Sequence, residues 1–191
     1  MRPVLFVSSN RNKYKEVNSV LFSAGIVVEY HNMQILEMQS NSLKQIAEEK
    51  SKAAYSKLSR PVLVEDDGLF IDYLNGFPGQ YSAYVYKTIG NSGILKLLEG
   101  VLVRCASFIS VFAFYDGKSS YCFLGKTHGR ISTAIRKGGW GFDGIFIPDR
   151  CDSTFGELHQ LKKKELFSHR TKALDEFKKW YLTNEGYLRS L

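Results

Sequence analysis

The chain has 191 residues, of which 44% are hydrophobic, and a formal net charge of +7. This length and composition allow one sizeable core and give no sign of a second domain, so we expect a single domain over residues 1–191. No apolar stretch is long enough to cross a bilayer, and three cysteines without C-x-x-C spacing exclude a disulfide framework and a zinc ribbon. We therefore expect a soluble protein of a reducing compartment, and the positive charge favours an anionic partner.

Strands and helices alternate in the first part of the chain, which indicates an α/β fold. In chain order, the apolar patterns predict a strand at Val4–Val7, a helix at Arg11–Ala24, a strand at Ile26–Tyr30 and a helix that begins after Ser42. Ser42 and Gln45 resemble a capping box at the start of that second helix.

The remaining pattern continues the same fold class. It predicts a strand at Val62–Ile71 that breaks at three acids, a short helix at Gly90–Leu98, and long strands at Val103–Phe114 and Ser119–Ile131. Asp116-Gly117 between the two long strands is typical of a hairpin turn, and a last helix is predicted from His169 to Leu182.

Three consecutive carboxylates, Glu65, Asp66 and Asp67, interrupt the apolar strand pattern. Like charges this close raise one another's pKa unless a cation holds them, and a hard divalent cation prefers such oxygen ligands. Glu37, which lies in an otherwise apolar segment, is a possible further ligand. The alternative is a solvated group of acids, and for Glu37 the spacing alone does not decide.

Three other segments have residues suited to an anionic or aromatic ligand. Ser8-Ser9-Asn10 and Lys13 stand at the turn into the first helix, where a phosphate or a simple helix cap fits equally well. The glycine-rich stretch 137–144 can form a flat slot beside Trp140, or a mobile loop. Lys164 precedes the last helix, and His169 and Arg170 lie in its first turn, where cations are unfavourable without an anionic or acceptor ligand. The alternative for all three is ordinary basic surface.

Five motifs occur in an order that resembles the inosine triphosphate pyrophosphatase family. They are Ser9-Asn10-x-x-Lys13, Glu65-Asp66-Asp67-Gly68-Leu69, Gly76-Phe77-Pro78-Gly79-x-Tyr81-Ser82, Trp140-Gly141-Phe142-Asp143 and Ser168-His169-Arg170. The resemblance spans nearly the whole chain, and the stretch 76–87 is most similar to archaeal members.

This resemblance implies an elongated two-lobed α/β fold, with a mixed sheet flanked by helices and the active site in the cleft between the lobes. It implies a cytoplasmic, usually homodimeric hydrolase that uses Mg²⁺ to cleave ITP, dITP and XTP into the nucleoside monophosphate and pyrophosphate. We expect no membrane association and no stable nucleic-acid partner.

The resemblance also implies a role for each matching residue. Glu37 and Asp66 would hold Mg²⁺, with Asp66 also activating the attacking water. The residues expected to bind substrate are Ser8, Ser9, Asn10, Lys13, Asp67, Trp140, Gly141, Phe142, Asp143, Lys164, His169 and Arg170. Among these, Trp140 would stack on the base, while Asp143, His169 and Arg170 would contact its edge. Asp67 departs from the family, which usually has Ser there, so a hydroxyl contact at this position is lost.

Two other functions stay open at this point. One is a basic nucleic-acid-binding domain without catalysis, supported by the charge and by a 14% aromatic content, although the chain carries no recognised nucleic-acid motif. The other is a Maf-like nucleotide pyrophosphatase with a different base preference, a family that lacks the Trp140–Asp143 and Ser168–Arg170 motifs.

Overall fold

The computed structural model describes residues 3–36 and 38–189, which form alternating strands and helices. Within this part of the chain, the strands are β1 (Val4–Val7), β2 (Val28–His31), β3 (Val62–Ile71), β4 (Pro78–Gly79), β5 (Cys105–Tyr115), β6 (Ser120–Ile131) and β7 (Phe146–Pro148). The helices are α1 (Arg11–Phe22), α2 (Leu43–Leu58), α3 (Ser82–Thr88), α4 (Gly90–Leu97), α5 (Phe155–Gln160), α6 (His169–Thr183) and α7 (Glu185–Arg189). No helix among the described residues is long and apolar enough to cross a membrane.

The strands form one mixed seven-stranded sheet, so the predicted α/β class is confirmed. The described strands follow the order β2-β1-β3-β5-β6-β7, and β4 pairs with β3. The pairs β1–β2 and β1–β3 are parallel, as expected where helices α1 and α2 connect the strands, whereas β3–β4 and β6–β7 are antiparallel.

The chain divides into two compact units. Unit one comprises Met1–Asp66, Ser110–Gly125 and Arg170–Leu191, and unit two comprises Asp67–Ile109 and Lys126–His169. The core of unit one includes Val4, Phe6, Val17, Leu21, Leu63, Phe112, Leu174 and Phe177. The core of unit two includes Leu69, Ile71, Ile94, Leu98, Phe108, Phe142, Phe146 and Phe155. The single domain and the position of the active site in a cleft stay predictions.

Strand β3 is continuous through the three acids, so the predicted break in this strand is wrong. Glu65 and Asp66 are both buried within it. Buried charges are tolerated when cations and hydrogen-bond donors compensate them, and unit one supplies both at these two carboxylates. Sequence reasoning treated the acids as a point of repulsion because their partners lie far away in the chain.

The helix boundaries agree closely with the sequence pattern. Helix α1 ends two residues before the predicted end, and α6 begins and ends within one residue of the prediction. Ser42 caps α2 as expected, because its hydroxyl accepts a hydrogen bond from the Gln45 N–H. The reciprocal bond of a capping box is absent among the described contacts, since the Gln45 side chain accepts a hydrogen bond from Ser40 instead.

The hairpin between β5 and β6 is confirmed at the predicted turn. One carboxylate oxygen of Asp116 accepts hydrogen bonds of 2.7 Å from the N–H groups of both Lys118 and Ser119. Gly117 has φ of +100°, a backbone conformation that favours glycine. The elements that the sequence pattern missed are all short: β4, α3, β7, α5 and α7.

Candidate functional site

The turn from β1 into α1 is built by its own polar side chains. The hydroxyl of Ser8 accepts a hydrogen bond from the Asn10 N–H, and Asn10 caps the helix by accepting from the N–H groups of Asn12 and Lys13. Ser9 is exposed. The helix-cap interpretation is therefore correct for Asn10, and a phosphate-binding role for this turn stays a prediction.

Glu65 is the centre of a buried ionic network in unit one. Its side chain is fully buried, and its Oε1 atom accepts hydrogen bonds from Arg170 Nε at 2.8 Å and from the Ser110 hydroxyl at 2.6 Å. Its other oxygen, Oε2, lies 3.7 Å from Lys13 Nζ. Two cations and a hydroxyl thus compensate one buried carboxylate.

Arg170 occupies the first turn of α6, where sequence analysis found a cation without an explanation. Its guanidinium is 2% exposed and pairs with Glu16 as well as with Glu65. Glu16 and Glu65 therefore supply the anions that a cation at this end of a helix requires. The alternative of ordinary basic surface is wrong for Arg170, and a base-contacting role stays a prediction.

Asp66 is paired with a residue that sequence analysis did not identify. Lys50 Nζ, on α2, lies 3.8 Å from Asp66 Oδ1 and donates a hydrogen bond to the Glu65 carbonyl oxygen. Both side chains keep slight solvent exposure, about 13% for Lys50 and 10% for Asp66. Lys50 stands in a run of charged helix residues, so no local pattern distinguished it from solvated lysines.

Of the two proposed metal ligands, Asp66 and Glu37, the structure describes Asp66. Glu37 lies outside the described residues, so its position is not defined. Among the residues described, no group of three or more His, Cys, Asp or Glu side chains is arranged to hold a metal ion. Asp66 nevertheless offers hard carboxylate oxygens of the kind that Mg²⁺ prefers.

The charges of this part of unit one balance. Three acids and three bases form the cluster: Glu16, Glu65, Asp66, Lys13, Lys50 and Arg170. A polyphosphate would add several negative charges to these six described residues, whose own formal charges cancel. A divalent cation would neutralise that addition, so the donor set fits a metal-assisted reaction.

In unit two, the glycine-rich segment folds around Asp143. Asp143 Oδ2 accepts a hydrogen bond from the Trp140 N–H and another, at 2.8 Å, from Lys164 Nζ. Both side chains of this ion pair are nearly fully buried. Gly139 is required here, because its φ is +67° and a Cβ atom would collide with the Asp143 carboxylate. These contacts give the segment a defined conformation, and the flat slot beside Trp140 stays a prediction.

The same ion pair places Lys164 against the half-buried Trp140. Lys164 Nζ lies 5.3 Å from the centre of the Trp140 ring, within the range of a cation–π interaction. The neighbouring Gly141 accepts a hydrogen bond from the Asn91 side chain through its carbonyl oxygen. Phe142 belongs to the core of unit two, so its ring packs internally.

His169 completes the candidate residues of unit two. Its ring is 2% exposed and stacks on Phe108, with centroids 4.7 Å apart and planes inclined by 9°. Its Nε2 atom lies 3.9 Å from Asp67 Oδ2. Asp67 therefore contacts His169 at the position where the family usually has Ser. Ser168, the preceding residue, is buried as well.

Comparison with known proteins gives one consistent result. The sequence pattern described as the Ham1 family matches residues 4–180. The chain is 49% identical to the dITP/XTP pyrophosphatase of Methanopyrus kandleri, over 95% of this chain and 97% of that protein. It is 45% identical to the dITP/XTP pyrophosphatase of Korarchaeum cryptofilum, over 87% of this chain and 89% of that protein. Among solved structures, a HAM1 protein from Coxiella burnetii has a TM-score of 0.81 at 24% identity, covering 94% of this chain and 99% of that one.

Proposed function

Because this chain belongs to the Ham1 family, we propose that it is a nucleoside triphosphate pyrophosphatase for non-standard purine nucleotides. It hydrolyses dITP, XTP and ITP to the nucleoside monophosphate and pyrophosphate. The observation that carries this conclusion is the 49% identity, over 95% of the chain, to a relative named dITP/XTP pyrophosphatase. ITP is included because it has the same base as dITP.

Residues of unit one account for the phosphate chemistry. Lys13 and the turn Ser8–Asn10 bind the triphosphate, since a lysine in the first turn of a helix adds a point charge to the positive end of the helix dipole. Lys50 is a second cation for the same purpose, supported by its partial exposure beside Asp66. Asp66 accepts the proton of the attacking water as the α–β phosphoanhydride bond breaks.

Mg²⁺ is the cofactor that this chemistry requires. Asp66 and Glu37 would hold it, and the metal would supply the charge neutralisation that the balanced cluster of unit one lacks. The support from the described residues is that charge balance together with the hard oxygens of Asp66.

Residues of unit two account for recognition of the base. Trp140 stacks on the purine, and the buried pair of Lys164 and Asp143 holds the backbone of Trp140 in place. Gly141 and Phe142 fix the conformation of this segment. Asp67 contributes through the position of His169, which donates to the 6-keto oxygen that hypoxanthine and xanthine share. We propose the same role for Arg170, which belongs to unit one.

The decisive experiment measures pyrophosphate release from ITP, dITP, XTP, GTP and ATP, with Mg²⁺ and with excess chelator. We expect wild-type protein to prefer the first three substrates and to require the metal. Asp66→Asn should fold normally and lose about 10²–10⁴-fold in kcat, the usual contribution of a positioned acid–base group.

Asp72→Asn is the matched control, because Asp72 is an exposed aspartate six residues further along the chain. It should keep wild-type activity. Nucleic-acid binding without pyrophosphate release would instead support the binding-domain alternative, and preference for other bases would support the Maf-like one. A homodimer and a cytoplasmic location stay predictions, of which light scattering tests the first.

A further inference from the structure

We propose that Ser110 is a positioning residue, which holds the Glu65 carboxylate turned towards Arg170 and thereby keeps Lys13 able to bind phosphate. This inference rests on the proposed function, because it gives a role to a residue outside the expected site. Ser110 belongs to none of the motifs found in the sequence.

Ser110 lies on β5, and no part of it is exposed to solvent. Its hydroxyl donates a 2.6 Å hydrogen bond to Glu65 Oε1, the same oxygen that accepts from Arg170 Nε. Two donors therefore meet on one oxygen of a fully buried carboxylate. Hydrogen bonds to charged groups are stronger than neutral ones, so this pair of contacts fixes the orientation of the carboxylate.

The second oxygen, Glu65 Oε2, differs from Oε1 in its hydrogen bonding. Among the described residues, no donor lies within hydrogen-bond distance of this buried atom. Lys13 Nζ lies 3.7 Å away, which is an ion-pair distance but longer than a hydrogen bond. Glu65 thus attracts the ammonium of Lys13 without being in direct hydrogen-bond contact with it.

The hydroxyl of Ser110 maintains this difference between the two oxygens. Without it, Oε1 would keep one donor, and the carboxylate could turn until Oε2 met Lys13 at hydrogen-bond distance. A buried anion gains most from such a contact, because desolvation penalises every lone pair that has no donor. Lys13 would then be held by Glu65 in direct competition with an incoming triphosphate.

The test uses inorganic tripolyphosphate as a ligand without a base, titrated by calorimetry in buffer that contains Mg²⁺. For Ser110→Ala we expect its Kd to rise about tenfold or more, the scale of a hydrogen bond to a charged group. With ITP and Mg²⁺, KM should rise while kcat changes less, because the variant weakens phosphate binding and leaves Asp66 in place. Ser110→Thr keeps a hydroxyl and should retain wild-type affinity.

Ser107→Ala is the matched control on the same strand. Ser107 is also buried, and its hydroxyl makes one side-chain contact, 3.1 Å from His128 Nδ1. This variant should lose some stability in urea denaturation and keep the wild-type Kd and KM. The comparison separates loss of a buried hydroxyl in general from loss of this one.

Three outcomes would overturn the proposal. The first is a Ser110→Ala variant with lower stability but unchanged Kd and KM, which would make Ser110 purely structural. The second is loss of tripolyphosphate affinity in Ser110→Thr, which also decides the matter if the alanine variant does not fold. The third is a wild-type protein that does not bind tripolyphosphate. Wild-type protein that binds tripolyphosphate but releases no pyrophosphate from ITP would refute the proposed function alone.

Discussion

Replacing Lys164 with methionine tests the buried ion pair that holds the segment around Trp140. Lys164 Nζ lies 2.8 Å from Asp143 Oδ2, and the two side chains are 6% and 5% exposed. Methionine keeps most of the apolar stem but leaves Asp143 as a buried anion, which costs about 3–5 kcal/mol. At about 2–4 °C per kcal/mol for a chain of this size, the midpoint of thermal unfolding should fall by roughly 6–20 °C.

The assay is urea and thermal denaturation of Lys164→Met beside Lys179→Met. Lys179 makes an ion pair of the same 2.8 Å length with Glu176, but both of those side chains are mostly exposed. The control should therefore unfold like the wild type, because water already solvates both of its charges.

The double variant Lys164→Met with Asp143→Asn shows whether the uncompensated charge of Asp143 causes the loss of stability. Asparagine keeps an acceptor for the Trp140 N–H and removes the uncompensated charge, so we expect it to restore most of the lost stability. A single variant as stable as the control would refute the argument from burial. A double variant as unstable as the single one would mean that packing, not charge, is responsible.

Three further predictions concern other parts of unit one and the exposed Cys105. Burial would raise the pKa of Asp116, but hydrogen bonds from Ser119, Tyr187 and Lys118 hold this pKa below its ordinary value. The free energy of unfolding lost in Asp116→Asn should therefore be largest at neutral pH. In urea titrations this loss should shrink as the pH falls below about 4. Burial raises the pKa of the Cys122 thiol to about 12, so iodoacetamide at pH 8 should alkylate Cys105 first, as peptide mass spectrometry would show. Arg170→Lys keeps the charge and loses the planar fork, so kcat/KM should fall about 30- to 150-fold for ITP, equivalent to about 2–3 kcal/mol, and less for ATP. An equal loss for both substrates contradicts a role in base recognition.

Local patterns predicted the elements that are long and periodic. Helix α6 and the hairpin around Asp116 agree with the prediction because an apolar helix face and an aspartate-glycine turn are signals contained in a few neighbouring residues. Helix α5 was missed although its capping box, Thr154 and Glu157, is visible in the sequence. Its six residues are too few for an apolar repeat to stand out.

In the candidate site, too, local motifs were predictable from the sequence and contacts between distant residues were not. Family motifs pointed to Lys13, Asp66 and Arg170, but sequence reasoning could not assign their partners. The contacts of Glu65 with Ser110 and Arg170 join residues 45 and 105 positions apart, and only the paired strands and α6 bring them together. Such distances leave no periodicity to detect in a single sequence.

The error over β3 has a consequence for the mechanism. The three adjacent carboxylates suggested a metal site, with Glu37 as a possible further ligand. Glu65 instead forms a buried ion pair with Arg170, whereas the Asp66 side chain keeps some solvent exposure beside Lys50. A fully buried carboxylate with two donors on one oxygen is poorly placed to exchange protons with water, which supports Asp66 over Glu65 as the proposed general base. Glu65→Gln should accordingly disturb phosphate affinity and stability, while Asp66→Asn should disturb turnover.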